Sequence, residues 1–241
     1  MGLGILGGGV ATAKWLLRRG AVLTITDKEP KRLFPRSIKQ ISQVSKKVRY
    51  VLGGYQKSDF INNDVIVVNP VVPKDDPFLL CALQAGKQIE NELTLFFKYQ
   101  RPGLVVGVTG TRGKTTTANW IAHFLMAKYS DAEAIGNSPD RILLGNDKVK
   151  RAAVIEAPSY LLEHFHNLAP DIALITNIYT DHLNRYKGIE DYALTKANIF
   201  LAQKPSQKLI LNADDKWTKF FLKQKPRSKV TFFSAKHFGF S

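Results

Sequence analysis

Hydrophobic positions along this chain alternate between short unbroken runs and longer stretches with helical spacing. The runs Ala21 to Thr26, Val65 to Val68, Lys87 to Ile89, Leu104 to Val106, Ala152 to Ile155, Ile172 to Ile178, Leu209 to Leu211 and Val230 to Phe233 read as short strands. Between them, Val10 to Leu17, Asp76 to Ala85, Glu92 to Tyr99, the stretch carrying Trp120, Ile121, Phe124 and Leu125, and Gly188 to Gln203 repeat at helical spacing. Strand following helix in this way predicts an α/β class built on parallel sheets. The break Arg101-Pro102-Gly103 marks a boundary, giving one domain over residues 1–100 and another over 101–241.

Composition narrows the setting. At 241 residues and 44% hydrophobic content the chain can bury two ordinary cores. No apolar run approaches the roughly 18 residues of a membrane span, and the first residues show no charged region followed by an apolar core, so no membrane association and a cytoplasmic location are expected. Cys81 has no second cysteine to pair with and reads as a small core residue. The formal charge of +15 would suit nucleic acid, but Lys and Arg are scattered and aromatics are not interleaved with them, so a solvated lysine-rich surface is expected and no nucleic-acid partner.

The chemistry concentrates where strands end. Gly107 to Thr117 follows the strand Leu104 to Val106 and opens a helix, as a phosphate-binding loop does. Gly110 and Gly113 let the backbone approach a polyphosphate; Thr111, Arg112 and Thr116 complete the cradle, Lys114 would reach the terminal phosphates, and Thr115 would hold Mg²⁺. The strict spacing wants a glycine where Val108 stands. Glu156 ends the strand Ala152 to Ile155, where a carboxylate meets Mg²⁺ or simply faces water, and His182 follows the strand Ile172 to Ile178. Lys196 interrupts the apolar stripe of Ile189, Tyr192, Ala193, Ile199 and Phe200, either as a snorkelling side chain or with a purpose of its own.

The N-terminus carries Gly2-x-Gly4-x-x-Gly7, a helix, and Asp27 at the end of the next strand, a Rossmann-like opening in which Gly4 and Gly7 approach a ligand and Asp27 meets a hydroxyl. Only Met1 precedes the motif, so the first strand is expected to be missing, or the chain to begin inside its own fold; a tight turn without a ligand is the other reading. Asn69-Pro70-Val71-Val72-Pro73 lies at the carboxyl end of another strand, where ligands of open α/β sheets bind, and Gly136-Asn137-Ser138-Pro139 forms a polar turn. The expected fold is therefore an N-terminal Rossmann-like parallel-sheet domain followed by a P-loop central domain.

Gly107 to Thr116, Glu156-Ala-Pro-Ser-Tyr-Leu-Leu-Glu163, Thr176-Asn-Ile-Tyr-Thr-Asp-His-Leu-Asn-Arg185, Lys196 and Asn212-Ala-Asp-Asp215, in this order and spacing, resemble the successive motifs of the Mur ligases. The N-terminal glycines, Asn69-Pro-Val-Val-Pro73 and Glu90-Asn-Glu-Leu-Thr-Leu-Phe-Phe97 resemble the members of that family that add D-glutamate. The resemblance implies an ATP-dependent amide ligase of peptidoglycan precursor synthesis. ATP would phosphorylate the carboxylate of UDP-N-acetylmuramoyl-L-alanine, and the amine of D-glutamate would attack the acyl phosphate. It further implies Lys114, Glu156, His182 and Lys196 as catalytic, with Lys196 carbamylated and, beside His182, supporting a second Mg²⁺; Thr115 and Glu156 hold the first. Asn137 would contact the UDP-sugar peptide.

The chain departs from the family pattern at Val71 (usually Gly), Pro158 (usually Ser) and Leu161 (usually Gln). It also ends before a C-terminal amino-acid-binding domain, so it is expected to be an incomplete ligase. The alternatives are a non-catalytic nucleotide-binding module, one half of a split ligase completed by a separate C-terminal chain, or an oxidoreductase holding a nicotinamide at Gly2 to Asp27. The last leaves Lys114, Glu156, His182 and Lys196 unexplained.

Overall fold

The structure, a computed structural model, describes residues 1–4, 8–136, 143–144 and 150–236; Gly7, Asn137 and the tail from His237 onward lie outside the described residues. The chain divides into two compact units, one of Met1–Phe96 with Ile142–Asp147 and one of Phe97–Arg141 with Lys148–Ser241.

In the first unit the order is α1 (Gly8–Arg18), β1 (Leu23–Asp27), a short 3-10 turn, α2 (Pro35–Ser42), β2 (Val48–Leu52), α3 (Lys57–Ile61), β3 (Val65–Val67), α4 (Pro77–Gln84), β4 (Gln88–Glu90) and the start of α5 (Glu92–Tyr99). Helix starts follow local chemistry. Pro35 and Pro77 take first-turn positions where the missing N-H costs nothing, and Asp76 caps α4 by accepting from Phe78 N at 3.0 Å. β1 pairs parallel with β2, and β3 with β4, as separate ladders. Residues 1–4 occupy the place of the strand expected to be missing. Gly2 N donates to Thr26 O of β1 at 2.8 Å, while Met1 N donates to Val67 O of β3 and Met1 O accepts from Asn69 N, each at 2.9 Å. β2, α2 and α3 were not among the expected elements. In β2 the charge of Arg49, paired with Asp59, interrupts the apolar run.

The second unit continues with β5 (Leu104–Thr109), α6 (Lys114–Leu125), β6 (Glu133–Ile135), β7 (Ala152–Glu156), α7 (Ser159–Leu162), β8 (Ile172–Ile175), α8 (Ile189–Leu201), β9 (Lys208–Asn212), α9 (Thr218–Lys223) and β10 (Lys229–Phe233). Its strands form one sheet in the order β10-β9-β8-β5-β7-β6, every neighbouring pair parallel. The chain leaves β5 to one side for β6 and β7 and returns on the other for β8. The carboxyl end of β5 is therefore the switch point where open α/β sheets bind ligands.

One face of the sheet packs Val106, Val108, Val154 and Leu174 against Ala118 and Ala122 of α6, with Ile121 and Leu125 at the edge. Each such buried Val or Leu contributes about 1.5–3 kcal/mol. On the other face a Cβ at Gly107 would lie 2.9 Å from Ile199 Cδ1 and 3.0 Å from Pro170 Cγ, so glycine lets α8 lie close on β5. Trp120 and Phe124 sit on the exposed face of α6. The strand expected over Ile172 to Ile178 stops at Ile175: Thr176 N makes one last bond to Thr109 O of β5 at 3.0 Å, and the Thr176 and Asn177 side chains bond to the loop after β5. Among the described residues, no helix is long and apolar enough to cross a membrane.

Candidate functional site

The loop after β5 is shaped by two glycines. Gly110 has φ 140°, and a Cβ there would lie 2.0 Å from Thr176 Oγ1; Gly113 has φ 79° and open space around it. α6 then begins at Lys114 with no side chain capping its N-terminus. Its first-turn N-H groups and the positive end of the helix dipole form an anion site.

A network from the end of β8 braces this loop. Thr111 N donates to Asn177 O at 2.9 Å, Arg112 N donates to Asn177 Oδ1 at 2.9 Å, and Asn177 Nδ2 donates back to Arg112 O at 3.1 Å. Thr176 Oγ1 donates to Arg112 O at 2.8 Å, and Tyr179 N donates to Thr111 Oγ1 at 2.9 Å. The end of β9 holds this segment in turn, Asn212 Nδ2 donating to Thr176 O at 2.9 Å and Asp215 Oδ2 accepting from Ile178 N at 2.8 Å. Because the Thr111 and Arg112 N-H groups are taken by Asn177, an anion would draw on the N-H groups from Gly113 onward.

Two lysines meet at the loop. Lys114 Nζ donates to Thr111 O at 3.0 Å; burial holds its pKa below the ordinary lysine value, opposed by Glu156 and Asp181. Lys196, only 1% exposed, donates from Nζ to Gly110 O at 3.0 Å and lies 4.5 Å over the Tyr192 ring. Burial, reinforced by repulsion from Lys114 and opposed by Asp181, pushes the Lys196 pKa down to about 7. A substantial neutral fraction at neutral pH makes this amine a nucleophile.

Glu156, buried at the end of β7, lies within the field of Lys114. Its backbone is pressed by the turn after β6, where a Cβ on Gly136 would lie 2.5 Å from Glu156 O. His182 adopts φ 52°, is half exposed, and places Nε2 3.7 Å from Asp181 Oδ2 and its ring 6.4 Å from that of Tyr192. Thr115 and Thr116 are exposed in the first turn of α6. Thr176, Asn177, Tyr179 and Tyr192 also belong to the site, although the sequence pattern does not single them out. The polar run after β8 flagged the first three only as part of a motif, and Tyr192 passed as part of an apolar stripe although its hydroxyl lies 3.4 Å from Thr111 Oγ1.

In the first unit Gly4 has φ 69°, and a Cβ there would lie 2.9 Å from Asn69 Nδ2. Gly4 N donates to Asp27 Oδ2 at 3.1 Å and Glu29 N to Asp27 Oδ1 at 2.9 Å, so the buried Asp27 carboxylate shapes the glycine loop. Asn69 Oδ1 accepts from Val71 N at 3.1 Å. Gly4, Asp27 and Asn69 thus come together. The close helix approach that a third motif glycine usually allows is seen at Gly9, where a Cβ would lie 2.1 Å from Leu3 O.

A parallel sheet with an uncapped glycine-loop helix at its switch point, flanked by a lysine and a buried carboxylate, has the geometry of a P-loop domain. Residues 108–239 match the Mur ligase middle domain and residues 1–91 the Mur ligase MurD-like N-terminal domain, and the chain belongs to the Mur ligase family. It is similar to the UDP-N-acetylmuramoylalanine–D-glutamate ligase of Borreliella burgdorferi (strain ZS7), 36% identical over 236 residues that cover 97% of this chain and 51% of that protein. The enzyme of the same name from Roseiflexus sp. (strain RS-1) is 36% identical over 243 residues, 98% of this chain and 52% of that protein. The chain spans about half the length of these relatives. Its fold is shared with the UDP-N-acetylmuramate:L-alanyl-gamma-D-glutamyl-meso-diaminopimelate ligase from Neisseria meningitides, at TM-score 0.61 and 18% identity over 96% of this chain and 76% of that one.

Proposed function

We propose that this chain forms the sugar-nucleotide-binding and ATP-binding portion of a cytoplasmic ligase that joins D-glutamate to UDP-N-acetylmuramoyl-L-alanine. In this reading residues 1–100 hold the UDP-sugar through Gly4, Gly7, Asp27 and Asn69, residues 101–241 hold ATP, and Asn137 meets the sugar peptide. The observation that carries it is the convergence at one sheet edge of the uncapped α6, Lys114, the buried Glu156 and the buried Lys196 bonded to Gly110 O.

The loop N-H groups and Lys114 offset charge on the phosphoryl group passing to the substrate carboxylate, and the ordered loop keeps donor and acceptor aligned. Among the described residues no three His, Cys, Asp or Glu side chains converge as a metal cage. A cation held by Thr115 and Glu156 would thus take most of its ligands from phosphate oxygens and water, as Mg²⁺ does. When bound there, Mg²⁺ supplies charge neutralisation for the polyphosphate. The neutral Lys196 amine adds to CO₂, forming an N–C bond and releasing one proton, and the resulting carbamate is the anion that, with His182, would hold a second Mg²⁺.

Support comes from the two matched domains and from relatives named for this reaction. A second reading has residues 1–241 bind both nucleotides without turnover. Titrating the chain with Mg-ATP, UDP-N-acetylmuramoyl-L-alanine and NADH tests the site: saturable binding of the first two and none of NADH is expected. Saturable NADH binding without ATP binding would sink the ligase reading. ADP release once a relative's C-terminal domain is supplied separates turnover from binding alone.

A further inference from the structure

Glu92 opens α5 but does not cap it. The cap belongs to Asn91, whose Oδ1 accepts from Thr94 N at 2.9 Å while Thr94 Oγ1 accepts from Asn91 N at 2.8 Å. The Glu92 carboxylate turns instead toward two pieces of backbone within the first unit. Its Oε1 accepts from Leu143 N at 3.0 Å, and Leu144 N bonds to the carboxyl group as well. Its Oε2 stands 3.8 Å from the point where a Cβ on Gly8 would lie. Gly8 is the first residue of α1, directly after the Gly2 to Gly7 motif, and that helix has no acid of its own in its first turn.

Glu92 therefore stands at the positive end of the glycine-loop helix while binding the backbone of a distant segment. Leu143 and Leu144 are themselves buried, at 5% and 1% exposure. Burial pushes the Glu92 carboxyl up to about 7, against the pull of the two backbone donors. Two N-H bonds to one enclosed carboxylate are stronger than neutral ones, and losing that acceptor leaves two buried donors unmet.

We infer that Glu92 is a positioning residue for the sugar-nucleotide: by accepting from the Leu143 and Leu144 backbone it holds that pair beside the first turn of the glycine-loop helix. The inference rests on the proposed function for the identity of the ligand. The fastening itself rests on the geometry alone, and a merely structural glutamate would affect stability without discriminating between ligands.

The test uses Glu92→Ala and Glu92→Gln in the 1–241 chain, reading amide hydrogen exchange at Leu143 and Leu144 together with affinity for UDP-N-acetylmuramoyl-L-alanine and for Mg-ATP. In Glu92→Ala, exchange at both amides speeds up and sugar-nucleotide affinity falls, each by about tenfold or more, while Mg-ATP affinity stays within about twofold. Glu92→Gln keeps a carbonyl acceptor of the same shape and restores most of both. Should Glu92→Ala fail to fold, Glu92→Asp, which keeps the charge and loses the reach, carries the same expectations. Unchanged exchange at the two amides overturns the fastening; faster exchange with unchanged sugar-nucleotide affinity, or a parallel loss of Mg-ATP affinity, overturns the positioning role. A wild-type chain that binds Mg-ATP but no UDP-sugar overturns the ligase reading and with it the ligand named here, an outcome distinct from the exchange result.

Discussion

Gly110 and Gly113 share a motif but face different constraints. At Gly110 a Cβ would meet Thr176 Oγ1 at 2.0 Å, whereas at Gly113 it would meet nothing within 4 Å. Gly110→Ala is expected to destabilise the fold by about 2–4 kcal/mol and Gly113→Ala by about 1–2 kcal/mol, measured by urea unfolding. Lys196 gives a pH-dependent counterpart. Its folded pKa of about 7 lies below the ordinary 10.5, so the unfolded chain binds more protons between these values and stability rises as pH climbs through that window. Lys196→Met removes the buried cation. It should raise the melting temperature most below pH 7, by an amount equivalent to about 1 kcal/mol or more, with the gain shrinking toward pH 10; a gain independent of pH contradicts the burial argument. Lys196 was legible in the sequence because a lysine breaking an apolar stripe is rare. Its partner was not, since the acceptor is the backbone carbonyl of Gly110, distant in sequence and silent in side-chain chemistry.

At the scale of elements, the loop after β5 owes its shape to the segment after β8. Asn177 bonds Arg112 at both backbone groups through its side chain. Asn177→Ala is expected to weaken Mg-ATP binding about tenfold while leaving the circular dichroism spectrum unchanged, because two net hydrogen bonds are worth about 1–3 kcal/mol; unchanged affinity would show that the loop holds its shape without this brace. The central strands were legible, because β5, β7 and β8 are unbroken apolar runs. β6 is only Glu133–Ile135, too short to show a period, and β2 alternates around Arg49, so neither stood out. The apolar pattern predicts that β8 continues through Ile178, yet Thr176 and Asn177 turn their side chains to the loop, a tertiary choice that local pattern does not encode.

For the whole molecule, alternation of strand and helix carried the α/β class, and the six-stranded order emerged only from pairing, since the sequence does not say which side of β5 receives β7 or β8. Residues 1–4 show the same limit: too short to read as a strand, they bond to both β1 and β3. The net charge of +15 favours anionic ligands in general. The most direct measurement is ADP release by residues 1–241 supplied with a relative's C-terminal domain. Release is expected only when UDP-N-acetylmuramoyl-L-alanine, D-glutamate and Mg-ATP are all present, and to fall about a hundredfold or more in Lys114→Ala. ADP release that ignores the UDP-sugar, or that survives Lys114→Ala undiminished, would contradict the ligase assignment.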